Sequence, residues 1–434
     1  MTSNITEMLI HGESTEVLKG LEDNSIDSVV CDPPYGLSKE PDITKVLSEW
    51  VSGDASFVPD GKGFMSKEWD GFVPPPSLWR EVYRVLKPGG HALVFAGTRT
   101  QDLMTISLRL AGFEVRDVIE WIYFSGFPKS HDVSKAFDRR AGAEREVIGQ
   151  RIRIGDKKSY ANNNDEALFN PGENNAITAP ATELAKKWDG WGTALKPAHE
   201  PIIVVRKPLI DADTGRKLTV VDCVEKYGTG AINIDASRIA TEDETRRAKS
   251  GWQADGYVGG KYDANKYNAF KSRENNGRFP ANCITLDSDE FYSKYFNVAT
   301  AHEAQPNVSP EELSKKASKK DRNSDWKGEE IGLEEAPTGH GNLQNSKGFE
   351  RFNTVNRNNH PTVKPTDLMA WLVRLVTPAG GTVLDPFAGS GSTLVAAKRE
   401  GFGFIGVELT EEYIPIIEAR TGIEAETSER QAIE

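Results

Sequence analysis

Apolar residues near the start of the chain switch between two periods. Met8-Leu9-Ile10-His11 reads as a short strand. Ser14 to Leu21 places Val17, Leu18 and Leu21 on one side of a helix, with Ser14 at the N-cap. Ile26 to Cys31 is again short, apolar and β-branched, so the pattern predicts a strand–helix–strand unit. Further on, Leu78, Val82, Val85 and Leu86 mark a helix over Ser77 to Leu86, stopped by Lys87-Pro88-Gly89-Gly90. His91 to Ala96 is a buried strand, Thr100 to Leu110 a helix ended by Gly112, and Glu114 to Phe124 a long strand or strand pair. Pro201 to Val205 is another strand.

The same texture returns at the other end. Thr366 to Val376 is helical, Gly381 to Leu384 is a strand, Leu394 to Arg399 a helix, Phe404 to Val407 a strand, and Glu411 to Arg420 a closing helix. Alternating strands and helices predict an α/β fold around a mostly parallel, doubly wound sheet. Three stretches interrupt it. Gly36 to Pro76 is loop-like with Trp50, Phe64, Met65 and Trp69 interleaved, which suits a lid or a ligand-gripping loop. From 126 to about 198 runs a polar insertion containing Asn162-Asn163-Asn164. From 207 to about 359 the chain is rich in Gly, Asn, Lys and Glu, with short apolar pieces (Ala231 to Ile234, Cys283 to Leu286). Aromatics in polar surroundings, among them Trp252, Tyr257, Tyr262, Tyr267, Phe270 and Phe279, punctuate it, and its part from Ser309 to Ser346 has the composition of a flexible or disordered segment. The expected division is 1–207, 208–359 and 360–434.

Composition narrows the class. At 434 residues there is room for two domains or for one with large insertions. A hydrophobic content of 38% with 27% charged residues suits a soluble protein, and no apolar run approaches the roughly 18 residues of a membrane span. Met1 to Glu7 offers neither a basic start nor an apolar core, so a cytoplasmic location is expected. Cys31, Cys223 and Cys283 are scattered, which indicates neither a zinc site nor a disulfide framework. The formal net charge of −12 argues against a large phosphate-binding surface, so local cations matter more. Arg151, Arg153, Lys157 and Lys158 form one cluster and Lys315, Lys316, Lys319, Lys320 and Arg322 another; either also reads as a solvated face.

Two stretches carry candidate chemistry. Asp32-Pro33-Pro34-Tyr35 follows the strand that ends at Cys31. Two fixed φ angles and two missing N–H groups make this segment stiff. A carboxylate, a free carbonyl and an aromatic ring at a strand's carboxyl end suit a flat molecule bearing an amino group: the oxygens accept its two protons and the ring stacks on its face. The same four residues also read as an ordinary proline-rich turn. The second stretch is Asp385-Pro386-Phe387-Ala388-Gly389-Ser390-Gly391-Ser392-Thr393, between a strand and a helix. Gly389 and Gly391 permit a tight turn and close approach of a ligand, and the helix start offers N–H groups to an anion. Glu408, at the end of the next strand, can take both hydroxyls of a ribose. The third glycine of a dinucleotide fingerprint and the Gly-Lys of a P-loop are both missing, so a nucleoside without pyrophosphate is preferred, namely S-adenosylmethionine.

With both motifs in view, the chain resembles the amino-group DNA methyltransferases, which methylate N6 of adenine or N4 of cytosine. Asp32-Pro33-Pro34-Tyr35 matches their catalytic motif and Asp385 to Gly391 their cofactor motif. The catalytic motif comes first, as in the circularly permuted β group, whose target-recognition region lies between the two. The resemblance covers about 5–125, 190–207 and 360–420. It implies a Rossmann-like S-adenosylmethionine-dependent methyltransferase fold, with a mixed seven-stranded sheet holding one antiparallel strand and a large inserted recognition region. It also implies that Asp32 and the Pro33 carbonyl accept the amine hydrogens and that Tyr35 stacks on a flipped-out base of double-stranded DNA. On the cofactor side, it implies that Asp385, Phe387, Gly389, Ser390 and Gly391 line the methionine and sulfonium end. Ser392 and Thr393 would meet the methionine carboxylate or cap the helix. His360 to Pro365 resembles the segment that encloses the methionine end, and Lys364 would reach the carboxylate or only hold the loop. Glu13 stands where the family usually has Asp facing the cofactor's adenine. Asp at position 32, where N4-cytosine members commonly have Ser, implies adenine. Dimers are common in the group, and a companion nuclease cannot be inferred. Rival readings are an N4-cytosine enzyme, an RNA or protein amino methyltransferase, a non-catalytic nucleic-acid-binding protein, and a nucleotide-dependent dehydrogenase.

Overall fold

The computed structural model describes residues 5–37, 40–60, 70–123, 130–150, 176–238, 279–285, 297–298, 358 and 360–427. The chain falls into two compact units, Met1–Phe124 with His199–Glu434, and Ser125–Ala198. The cation clusters of residues 151–158 and 315–322, the aromatics from Trp252 to Phe270 and the segment Ser309 to Ser346 lie outside the described residues.

The larger unit opens with β1 (Glu7–His11), α1 (Ser14–Lys19) and β2 (Ile26–Cys31). It continues with α2 (Ile43–Ser52), α3 (Pro76–Val85), β3 (Leu86–Phe95), α4 (Gln101–Leu110) and β4 (Glu114–Ile122). The smaller unit contains α5 (Val133–Ala141), β5 (Val147–Gln150), β6 (Ala176–Thr178) and α6 (Glu183–Lys187). The larger unit then resumes with β7 (His199–Arg206), α7 (Val220–Tyr227), β8 (Cys283–Thr285) and β9 (Asn297–Val298). It ends with α8 (Thr366–Val376), β10 (Thr382–Asp385), α9 (Ser392–Arg399), β11 (Gly403–Glu408), α10 (Ile414–Thr421) and β12 (Ala425–Thr427).

Among the described residues one sheet runs β12-β1-β11-β10-β2-β3-β7-β4-β8-β9. Its seven central strands, β1 to β4, are parallel except for β7, which is antiparallel to β3 and β4. This is the expected mixed seven-stranded sheet. Three edge strands of two or three residues extend it, too short to leave a hydrophobic period in the sequence. Strands β2 and β10, from opposite ends of the chain, are neighbours, with Val383 opposite Ser28.

Alternation along the strands feeds two cores. Val30, Leu93 and Phe95 point to one face with α8, α9 and α10, where Trp371, Leu372, Leu394 and Ile417 are buried. Val29, Cys31, Ala92 and Val94 point to the other, under α1 to α4, where Trp79, Val82, Met104 and Leu108 are buried. Burying each large apolar side chain contributes about 1.5–3 kcal/mol. Polar bonds fix the register where the chain's two ends meet. The Asp27 carboxylate accepts from Lys87 Nζ at 2.5 Å and from the Thr382 amide at 2.8 Å, tying β2 to β3 and β10.

Two local expectations are corrected. The N-cap of α1 is Glu13, whose carboxylate accepts the Glu16 amide at 3.0 Å. Ser14 is the first helical residue, and its hydroxyl donates to the Pro386 carbonyl at 2.6 Å, across the sheet. Lys87-Pro88-Gly89-Gly90 does not separate helix from strand but belongs to β3, whose pairing with β2 shifts register there. The bulge leaves the Pro88 carbonyl outside the ladder, where it accepts from the Cys223 thiol and the Thr229 hydroxyl. Residues 207–238 thus pack against β3, while β8 pairs in parallel with β4.

In the smaller unit, β5 and β6 form an antiparallel pair. The carboxylate of Asp138 is buried and accepts from the Ala181 and Thr182 amides, the Thr182 hydroxyl and Arg145. Burial works to raise its pKa, but these donors together hold it at about 2.

Candidate active site

Parallel strands put their carboxyl ends on one side of the sheet, and β2 and β10 adjoin. The two motifs follow these two strands directly.

After β2, the turn is locked from outside. The Asp70 carboxylate accepts the Tyr35 amide at 2.9 Å and the Gly36 amide at 3.3 Å, and the Thr100 hydroxyl donates to the Tyr35 carbonyl at 2.6 Å. Gly36 has φ +64°, and a Cβ there would lie 2.9 Å from the Phe72 and Val73 backbone. Pro33 is buried, and Asp32, Pro34 and Tyr35 are partly so. Asp32 Oδ2 accepts a short hydrogen bond from Lys364 Nζ, whereas Asp32 Oδ1 is buried with no hydrogen-bond partner among the described residues. The Tyr35 hydroxyl donates to Glu200 Oε2 at 3.0 Å, and Lys364 Nζ lies 3.2 Å from Tyr35 Oη and 3.4 Å from Glu200 Oε2. The ammonium also stands 5.3 Å from the Tyr35 ring centre and 4.8 Å from that of Phe95. Burial raises the Asp32 pKa, Lys364 opposes the shift and Glu200 adds to it. Burial alone would lower the Lys364 pKa, but Asp32 and Glu200 raise it.

After β10, the chain turns through Gly389 at φ +55° and Gly391 at φ +78°, both in the left-handed region. A Cβ on Gly391 would lie 2.9 Å from Ile417 Cγ2, and one on Gly389 3.1 Å from His360 Nε2. Asp385 is buried; its carboxylate accepts the Phe387 amide at 3.0 Å and a bond from Thr393. Burial pushes its pKa up to about 7 against those bonds, with Asp32 and Glu408 adding to the rise. Glu408 accepts the Gly389 amide at 2.7 Å and the Thr410 amide at 2.8 Å. Burial raises its pKa as well.

Below the turn, the buried Arg420 guanidinium donates to the Ser390 carbonyl at 2.6 Å, to the Ser390 and Ser392 hydroxyls, and to the Thr366 hydroxyl. Arg420→Met removes these donors while keeping an apolar stem. It is expected to lower the unfolding free energy by about 2–4 kcal/mol, since buried acceptors lose their partners. An unchanged urea midpoint would contradict this.

The structure thus brings Asp32, Pro33, Pro34, Tyr35 and Lys364 together at one strand end, and Asp385, Phe387, Gly389 to Thr393 and Glu408 at the next. Five of the expected site side chains have places or partners within the protein that the sequence did not show. Glu13 is exposed, and its carboxylate caps α1 and accepts the Thr15 hydroxyl. Lys364 lies on the catalytic motif, drawn there by two carboxylates. Glu408 spends one lone pair on each of two backbone amides, leaving the others for a ligand. Ser392 and Thr393 are the first two helical residues of α9, and Gly391 is the N-cap. The sequence reading missed Glu200, Asp70 and Arg420. An acid just ahead of the apolar run Pro201 to Val205 was the one local sign of Glu200; Asp70 and Arg420 left none. His360, within a segment the sequence had singled out, packs edge-on against Tyr413 at 4.4 Å.

The profile of the N6/N4 DNA methylase family matches residues 26–419, which takes in both motifs and the strands that carry them. The chain belongs to this DNA methylase family. It is a DNA methyltransferase of the class that acts on exocyclic amino groups, with S-adenosylmethionine as methyl donor. It is 23% identical over 437 residues to the type II methyltransferase M.HindIII of Haemophilus influenzae, covering 96% of each chain. It is 45% identical over 69 residues to the type II methyltransferase M2.DpnII of Streptococcus pneumoniae, covering 16% of this chain and 26% of the other. Among solved structures, the PvuII DNA methyltransferase (cytosine-N4-specific) aligns over 99% of this chain and 91% of its own, with 13% identity and a TM-score of 0.43. Among the methylase's described residues, no group of His, Cys, Asp and Glu could hold a metal ion. No helix among them is long and apolar enough to cross a membrane.

Proposed function

We propose that this methylase modifies N6 of an adenine flipped out of double-stranded DNA, at a specific recognition sequence. The observation that carries the reading is Asp32 Oδ1, a buried carboxylate oxygen with no hydrogen-bond partner among the described residues, beside a proline whose carbonyl is free of a helix. Such an oxygen costs free energy until an N–H reaches it. The turn after β10 fits a nucleoside cofactor by the same logic. Its two glycines are left-handed, a Cβ on Gly391 would collide with Ile417 and one on Gly389 would press on His360, and two buried acids line the turn. Asp385, Phe387, Gly389, Ser390 and Gly391 would hold the methionine end and Glu408 the ribose. Ser392 and Thr393 stand at the start of α9 for the carboxylate. When bound, S-adenosylmethionine supplies an electrophilic methyl group.

The remaining work belongs to the protein. An exocyclic amine is a poor nucleophile because its lone pair is delocalised into the ring. Asp32 Oδ1 and the Pro33 carbonyl accept its two hydrogens and localise that pair on nitrogen. Tyr35 supplies a face for the base. A base within a duplex cannot reach a recessed carboxylate, so flipping is required. Cys31 is a buried strand residue whose thiol pKa burial raises well above its ordinary value, which suits packing rather than nucleophilic attack. The carboxylate at position 32 favours adenine, a tendency of the family. Expression in a host free of DNA methylation, followed by long-read mapping, tests the base. N6-methyladenine at one short motif is expected; N4-methylcytosine there would overturn the base and keep the mechanism.

Cofactor binding should depend on pH. The ionised form of Asp385 favours a bound cation, and its pKa in the free protein is about 7. Below that value a proton must leave before the carboxylate can act, so affinity is expected to fall about tenfold from pH 8 to pH 6. Calorimetry in buffers of different ionisation enthalpy should register proton release. Equal affinity at both pH values, with no proton released, would contradict this.

A further inference from the structure

The carboxylate of Asp32 does not stand alone. Lys364 Nζ holds its Oδ2, and the same ammonium faces Glu200 Oε2 at 3.4 Å. Glu200 projects from β7, the one central strand that runs backwards. It accepts the Tyr35 hydroxyl at 3.0 Å and a hydrogen bond from Tyr123. The side chains of Lys364, Glu200 and Asp32 are 9%, 13% and 19% exposed, so water screens them little. An isolated Asp32–Lys364 pair would be neutral and would offer little to an amine acquiring positive charge. With Glu200 included, two carboxylates and one ammonium leave one negative charge, the complement of a single developing cation.

We propose that Glu200 is a positioning residue for methyl transfer: it takes up the charge of Lys364 and aligns the Tyr35 hydroxyl, so that the Asp32–Lys364–Glu200 cluster keeps a net negative charge and Asp32 presents Oδ1 to the target amine. This rests on the amino-methylation reading of the site and adds to it a residue outside both motifs. The groups facing Asp32 are Lys364 and Tyr35, Glu200 from β7, and Asp385 and Cys31 at the ends of β10 and β2. Among them Glu200 and Asp385 raise the cost of ionising Asp32, and Lys364 lowers it. Removing the charge of Glu200 therefore makes Asp32 easier to ionise and a weaker acceptor.

The test is single-turnover transfer to unmodified duplex DNA by the full chain, measured across pH. Glu200→Gln is expected to lower the rate about tenfold, to move the acid limb of the rate profile to lower pH by about half a unit or more, and to leave the cofactor KM unchanged. Glu200→Asp keeps the charge; its acid limb should stay in place and its rate within about threefold of wild type. That variant carries the test if Glu200→Gln does not fold, and a tenfold loss there would overturn the charge argument. An active wild type with Glu200→Gln unchanged in rate, or slowed with the limb unmoved, overturns this inference alone. A wild type that methylates no DNA overturns the reading beneath it as well.

Discussion

Asp32→Ala is expected to reduce methyl transfer by about a thousandfold or more. Cofactor affinity should change by no more than a few-fold, and DNA binding should persist. The carboxylate is the acceptor that localises the amine lone pair, and nothing else at the strand end replaces it. Lys364, freed from Asp32, still has Glu200 as a counter-charge at 3.4 Å, so the variant is not left with an isolated buried ammonium. Asp32→Asn is the sharper variant, because it keeps the shape and turns one acceptor into a donor aimed at the amine. Single-turnover rates at saturating cofactor and DNA measure the effect. Transfer within tenfold of wild type in Asp32→Ala would remove Asp32 from the chemistry, and unaltered biology in a cell carrying it would favour a non-catalytic binding role.

Gly391→Val should disable the cofactor crevice. The position has φ +78°, and a Cβ would lie 2.9 Å from Ile417 Cγ2. A β-branched residue at that φ is strained, at a cost of about 1–3 kcal/mol. Crowding against α10 adds about as much again. The turn must shift, and with it the Gly389 amide that Glu408 accepts at 2.7 Å and the Ser390 carbonyl that Arg420 reaches at 2.6 Å. Stability is expected to fall by about 4 kcal/mol, with cofactor affinity reduced a hundredfold or more. Denaturation and calorimetry read the two effects separately. A variant that binds S-adenosylmethionine as wild type does would show that the turn does not shape that site.

What could be read from sequence was what chemistry writes locally. Asp32-Pro33-Pro34-Tyr35 announces a stiff strand end, and Gly389 and Gly391 announce a turn, whatever surrounds them. Helix α8 was legible to its termini because nine of its eleven residues are buried and its period is strong. The N-cap of α1 was misplaced by one residue because Ser14 is the better capping type; its hydroxyl is instead drawn to the Pro386 carbonyl. Pro88 and Gly89 read as a stop, since no local signal distinguishes a bulge inside a strand from a turn after a helix. Glu200, Asp70 and Arg420 were invisible for a different reason. Each meets the site through a contact between segments far apart in the chain, created only when β2, β7, β10 and α10 assemble. Lys364 was recognised, but its partner depends on the same assembly.

The most direct measurement is transfer of labelled methyl from S-adenosylmethionine to unmodified double-stranded DNA, followed by digestion to nucleosides. Label is expected in N6-methyladenine. Label in N4-methylcytosine would contradict the assignment of the base. Clear cofactor binding with no label on any DNA would contradict the assignment of DNA as the substrate and turn attention to RNA or protein amines.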